Sequence, residues 1–532
     1  MSSRDLAAFL AEAAAIVGEH HVSADPAELE RLSTATFATP GRVLGRVRPG
    51  SVAELRQLLR RATVPLYPVS GGKNWGLGSK APPRDAVLLD LGRLNRIVAF
   101  DEELATVTVE PGVTFRQLYE FLRQRGSRLF AATTGGSPDG SVVANALERG
   151  DGSGPNGDRA LHLAALEVVL PTGELVHTGF DRFENASCAA LHRFGVGPAL
   201  DGLFTQSNLG VVTRATIWLS PLPRFLGAVR FSIERDEQLG PLLDAIRRLR
   251  LDGTLRSAVG VWNDYRVLSV AERHPGPLPL SRQAVAQRVG QRWFGLASVY
   301  AGSRKLGEAA VDHVEAELRP HVSWLETRVA SGDPRAGQEL FPTDDPAFAF
   351  LQGVPHEQSL RSLYFRKPGA LPSDLDPDRD RVGALWVCAA LPLRGPVIAR
   401  AAASIESVMH EHGFDPLLVL LCHTERTLQL LPMIVFDRDE PGADARALGC
   451  HEALVAGLAL EGHLPQRLAL PAMQSLPAPR DDFAAVLERL KRALDPAGVL
   501  APGRYAPSWE PAEVTSTDRG SRSAAGSASG GR

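Results

Sequence analysis

Two hydrophobic periods alternate along the first 125 residues. Ser51-x-x-Glu54 opens a stretch that places Leu55, Leu58 and Leu59 on one helical face, and Thr114-x-x-Gln117 opens another that stops at Gly126. Between them, short apolar runs over 64–69, 86–91 and 105–109, bounded by Gly and Pro, predict strands. Residues 166–170, the turn Pro171-Thr172-Gly173 and residues 175–178 predict a hairpin, and 211–219 a strand ending at Pro221 and Pro223. From 223 to about 465 the glycine-rich texture thins. Amphipathic stretches over 306–318 and 397–409 mix there with apolar strands over 417–421 and 430–436, which suits a second domain. A last helix, 483–494, runs into Asp495-Pro496-Ala497-Gly498. The end of the chain, 509–532, is rich in Ser, Gly, Ala and Arg without apolar periodicity and predicts disorder.

At ~150 residues per domain, 532 residues hold two to four domains with a sizeable core. A 44% hydrophobic fraction against 22% charged residues excludes global disorder. A formal charge of −3 leaves no basic excess to neutralise phosphates, which argues against nucleic acid. No apolar stretch is long enough to cross a bilayer, and no uninterrupted apolar segment near the N-terminus suggests a signal peptide. The four cysteines lie far apart, with no C-x-x-C pair, so a reducing, cytoplasmic location is expected. Cys422-His423 and Cys450-His451 are poor metal candidates because adjacent side chains point apart.

Three glycine clusters carry the candidate chemistry. The first, Ser70-Gly71-Gly72-Lys73-Asn74-Trp75-Gly76-Leu77-Gly78, follows an apolar strand and can turn consecutive amides toward one anion; a tight turn between strands is the rival reading. It is not a P-loop, since Asn74 stands where Ser or Thr is required. The second runs from Thr133 through Gly135, Gly136, Ser137, Gly140 and Ser141 to Gly152, and the third from Asp201 through Gly210 to Thr213. Three glycine-rich approaches to one site suit a long, diphosphate-bridged cofactor that meets bare backbone at several places.

In order and spacing these segments resemble the flavoprotein family of vanillyl-alcohol oxidase and p-cresol methylhydroxylase, whose FAD-binding domain is the PCMH type. The resemblance runs from about 45 to 222, reappears at Trp293-Phe294-Gly295 and Leu351-Gln352-Gly353-Val354-Pro355, and closes with Asp495 to Gly503. It implies an α+β, two-domain fold: an FAD-binding domain over 1–222, an α/β cap over 223–465 covering the flavin, and a C-terminal segment over 466–508 returning to the FAD domain. Carried over by position, Val69, Ser70, Gly71, Gly72, Lys73, Asn74 and Trp75 would cradle the pyrophosphate and ribityl chain. Ser137, Gly140, Ser141, Asn145, Glu148 and Gly150 would form a second wall. Gly210, Val211 and Val212 would meet the adenine end, and Arg504 would join from the C-terminal segment. A solvated helix charge is the rival reading for Glu148.

The departures bear on the substrate. The first tyrosine that holds phenolate in the relatives corresponds here to Leu77, and the Tyr-Arg pair to Gln466-Arg467. An anionic oxygen short of those donors loses about 1–3 kcal/mol per missing bond, which argues against a simple alkylphenol. Arg467 would stabilise charge at the flavin pyrimidine edge; a surface arginine is the rival reading. The family's covalent flavin tether falls on Leu385, beside Trp386, so dissociable FAD is expected. Asp139 is the candidate acid beside flavin N5, with Tyr364, His356 and His423 as further cap candidates.

The expected function is hydride transfer from a small, flat or aromatic substrate to FAD, in a tailoring oxidase or dehydrogenase of specialised metabolism. Dioxygen or another electron carrier would reoxidise the flavin, and the relatives dimerise or assemble with a partner subunit. A diverged alkylphenol or benzylic-alcohol oxidase, a non-catalytic FAD scaffold and a site for another phosphorylated ligand are the alternatives.

Overall fold

The computed structural model describes residues 2–276, 279–334, 339–341 and 344–505. The predicted disordered tail lies outside these residues. Both predicted helix starts form, with one difference. The Ser51 hydroxyl accepts the Glu54 amide and caps the helix Val52–Arg60, and Thr114 accepts the Gln117 amide ahead of the helix Phe115–Gln124. Neither box closes reciprocally: Glu54 accepts the Gly50 amide, and Gln117 donates to the Asn95 carbonyl. The sequence pattern located the caps, but neighbouring loops captured the return bonds. A helix not anticipated from the sequence, Ser3–Val17, buries Phe9, Ala13 and Val17.

Before Pro221 the chain builds two main sheets. Val22–Ser23, Val43–Val47, Ala86–Asp90 and Leu66–Val69 form the first in that order, the last three strands running parallel. Ile97–Asp101, Thr106–Val109, Val211–Trp218, Leu163–Val169 and Leu175–His177 form an antiparallel second, which includes the predicted hairpin. Beyond Pro221, nine strands from Phe225 to Arg467 form one antiparallel sheet. Its back packs against the helices Leu239–Leu251, Gly395–Glu411 and Ala443–Leu460 in the largest apolar cluster, which contains Leu243, Ile246, Ile398, Ile405 and Leu454.

The C-terminal segment then returns. Leu66 donates its amide to Val499 and accepts from Ala501, so residues around Leu500 lie along the first sheet. Buried Lys491 donates to the carbonyls of Asn208 and Leu500 and pairs with Asp495 at 2.7 Å, a compensated buried charge that fixes this return.

Candidate functional site

A cavity of about 610 Å³ separates the glycine clusters from the exposed face of the nine-stranded sheet. Side chains alternate across a strand, so register decides which residues meet it. The register aligns Trp262 with Val419, Val419 with Leu431, and Cys388 with Arg467; a second row aligns Leu296, Gly260, Leu421 and Gln429. All nine line the cavity. Trp262 and Arg467 stand four strand spacings apart, about 19 Å at ~4.8 Å each. The face is apolar except for Gln429 and, at its far end, Arg467.

The opposite wall is main chain. Among the described residues the amides of Gly71, Gly72, Lys73 and Asn74 donate no hydrogen bond, and Asn145 Oδ1 is buried without a partner. Gly76 has φ +83°, and a Cβ there would meet the Trp386 ring at 2.2 Å, so only glycine lets this loop and the Trp386 strand close on each other. The loop is also held from the sheet side: Trp75 Nε1 and Ser79 Oγ donate to Asp378 at 3.0 and 2.8 Å, and Lys73 lies 3.5 Å from Asp376. Burial raises Asp378 to about 7. A concave run of free amides beside a lysine fits an anionic diphosphate, and the orphaned Asn145 oxygen fits a hydroxyl-bearing cofactor chain.

Two connected charge clusters flank the cavity. In the first, Arg504 donates to Glu148 at 2.5 Å and to the Tyr67 hydroxyl at 2.6 Å, while Tyr505 donates its hydroxyl to Glu148 at 2.9 Å. Burial opposes ionisation of Glu148, but the Arg504 and Arg467 guanidiniums outweigh it and hold the carboxyl below its ordinary range. The second is built on Asp151, which lines the cavity. Gln429 Nε2 donates to it at 3.0 Å, and His423 Nε2 lies 3.2 Å from Asp151 and 3.4 Å from Asp158. Burial raises Asp151 despite His423 and Arg467 nearby. Burial works against protonated His423, yet the two carboxylates raise it. A carboxylate with elevated proton affinity at a cavity wall can accept a proton.

The structure sorts the residues singled out from the sequence. Val69 to Trp75, Ser137, Gly140, Ser141, Asn145, Glu148, Gly210, Val211, Val212 and Arg504 line the cavity, as do Leu77, Trp386, Gln466, Arg467 and His356. Gly150 does not line it; a Cβ there would meet the Asn145 side chain at 2.4 Å, so it lets that amide sit close to the main chain.

Three of the residues singled out stand elsewhere. Asp139 is half exposed and clamped by Arg116 Nε at 2.8 Å, which answers its charge outside the cavity. Tyr364 is buried among apolar side chains and donates to Asp380 at 2.6 Å. Leu385 is fully buried in the helix-covered core, because it directly precedes Trp386 and the strand turns successive side chains to opposite faces. His423 reaches the site through Asp151. Asp151 itself was missed, although it stands in the second glycine cluster and the positive φ of Arg149, 51°, turns the chain just before it. All four cysteines are free, no group of three or more His, Cys, Asp or Glu among the described residues could hold a metal ion, and no described helix is long and apolar enough to cross a membrane.

A family model described as an FAD binding domain matches residues 43–179. The chain is 42% identical to the 1'-carboxy-chondrochloren decarboxylase of Chondromyces crocatus over 96% of its own length and 100% of that protein. It is 27% identical to the 4-cresol dehydrogenase [hydroxylating] flavoprotein subunit of Pseudomonas putida, covering 83% of each. The solved 4-ethylphenol oxidase from Gulosibacter chungangensis, 24% identical, superposes with a TM-score of 0.86 over 96% of this chain and 98% of that one, which shows the shared fold. The chain is a flavin-dependent oxidoreductase that binds FAD. It belongs to the PCMH-type flavoprotein family.

Proposed function

We propose that the chain carries out an oxidative decarboxylation: it removes hydride from a flat organic substrate that bears a hydroxyl and a carboxylate, and carbon dioxide leaves in the same turnover. Bound FAD supplies the two-electron acceptor for the hydride. On the substrate, the electron pair of the broken carbon–carboxylate bond closes a new carbon–carbon double bond, so the net loss is one hydride and one carbon dioxide. Asp151 takes the proton of a substrate hydroxyl as hydride departs and returns it as carbon dioxide leaves. Gln429 and His423 hold Asp151 in place. The glycine-loop amides of 71–74 hold the cofactor diphosphate, and Glu148 with Arg504 fixes the adjoining wall.

The single observation that carries this reading is the placement of Asp151, a half-buried carboxylate of raised proton affinity, on a cavity enclosed between amide-bearing loops and an apolar sheet face. Whole-length similarity to a decarboxylase supports the carboxylate. Leu77 on the cavity wall speaks against a simple alkylphenol, since it offers no bond to a phenolate oxygen. Leu385, buried in the core, cannot tether the flavin, which favours noncovalent FAD. Either dioxygen or another carrier completes the cycle, and the rate at which air reoxidises the reduced protein distinguishes them.

The test is anaerobic mixing of the FAD-loaded protein with paired aromatic compounds, each with and without a carboxylate near the oxidisable carbon. Flavin bleaching coupled to carbon dioxide release is expected only with carboxylated members. Bleaching without carbon dioxide would remove the decarboxylation, and no bleaching across the panel would remove the substrate class.

A further inference from the structure

Arg266 occupies the first turn of the helix Asp264–Ala271, where the Asn263 side chain accepts its backbone amide at 3.0 Å. Its side chain lines the cavity beside Trp262 and Val270 and is 8% exposed. Among the described residues the guanidinium has one weak contact, Nη1 to Ser269 Oγ at 3.5 Å, and its Nε has no partner. Nearby carboxylates are engaged elsewhere. Asp264 accepts from Arg292 at 2.5 Å, Glu406 from Arg282 at 2.7 Å, and Asp415 from Arg366 at 3.0 Å. Burial alone lowers the guanidinium to about 10, so it stays charged at neutral pH with no anion among the described residues to offset it. The helix N-terminus adds partial positive charge, which makes an uncompensated cation there costlier still.

An uncompensated buried guanidinium on the wall of a small-molecule cavity is completed by a ligand anion. The diphosphate of the cofactor is provided for by the free amides of 71–74 on the opposite wall. We propose that Arg266 is the specificity-determining residue that binds the substrate carboxylate, its planar fork meeting both oxygens. The assignment rests on the reading of a carboxylated substrate. The negative charge disappears as carbon dioxide leaves, so the pairing favours binding more than bond breaking, and its loss should raise KM more than it lowers kcat.

The test measures binding to the FAD-loaded protein by perturbation of the flavin spectrum, with hydrocinnamate and its isosteric neutral amide as probes. The wild type should bind the acid on the order of ten-fold tighter than the amide. Arg266→Gln should abolish that preference while leaving the amide affinity unchanged, and Arg266→Lys should keep part of it. Thermal unfolding of Arg266→Gln at or above the wild-type temperature would support an unpaired charge in the free protein. Equal affinities in the wild type, failure of the acid to bind, an unchanged preference in Arg266→Gln, or loss of FAD from that variant would each overturn the assignment. Turnover separates this from the proposed reaction: carbon dioxide release by Arg266→Gln at wild-type KM removes the role of Arg266 and leaves the decarboxylation standing.

Discussion

The two ends of the cavity treat positive charge differently. At one end Arg504 is bonded to Glu148, and Arg467 lowers the proton affinity of both Glu148 and Asp151, so cations and carboxylates answer each other within the fold. At the other, Arg266 has no carboxylate among the described residues. A compensated cluster positions groups whether or not a ligand is present. An uncompensated one is complete only when something binds.

Substitutions can break that contrast. The largest effect is expected at the compensated end, where Asp151→Asn should lower the anaerobic rate of flavin reduction by about 10²–10⁴-fold, with FAD content retained. Reduction at the wild-type rate would exclude Asp151 as the proton acceptor. Next, Glu148→Ala should destabilise the protein by roughly 2–4 kcal/mol in chemical denaturation, because it strands the Arg504 guanidinium, and FAD occupancy should fall.

A third substitution probes the glycine loop by pH. Burial raises Asp378 to about 7, above its ordinary value of 3.8, so the folded state binds the proton more tightly than the unfolded chain. Stability should therefore decline as pH rises from about 4 to 7 and level off above. Asp378→Asn should remove that slope and stabilise the protein by roughly 1–3 kcal/mol at pH 8 relative to wild type, with little gain at pH 4. Parallel wild-type and variant pH profiles would exclude Asp378 as the group responsible. The smallest effect has the opposite sign from Glu148→Ala: Arg266→Met should stabilise the ligand-free protein by about 1–2 kcal/mol, since it removes an unanswered charge. Destabilisation would mean that Arg266 has a partner within the fold, and the contrast between the two ends would fail.

The glycine loops were legible in the sequence because turning successive amides toward one point is a property of a few adjacent residues. The helix caps were legible for the same reason, although Glu54 and Gln117 found other partners. The acid was not. Asp139 and Asp151 both stand in the second glycine cluster, and what separates them is Arg116, which clamps Asp139 from the neighbouring helix. The resemblance put the flavin tether position on Leu385, beside Trp386, but strand alternation turns Leu385 into the core and Trp386 into the cavity.

The sequence alone determined where bare backbone could meet a phosphate-bearing cofactor and which apolar runs would become strands, because both depend on short-range geometry. Only the tertiary structure decided which charges have partners. Compensation joins residues such as Glu148 and Arg504, 356 positions apart. It likewise leaves Arg266, which in sequence resembles any solvated helix arginine, buried and unanswered among the described residues.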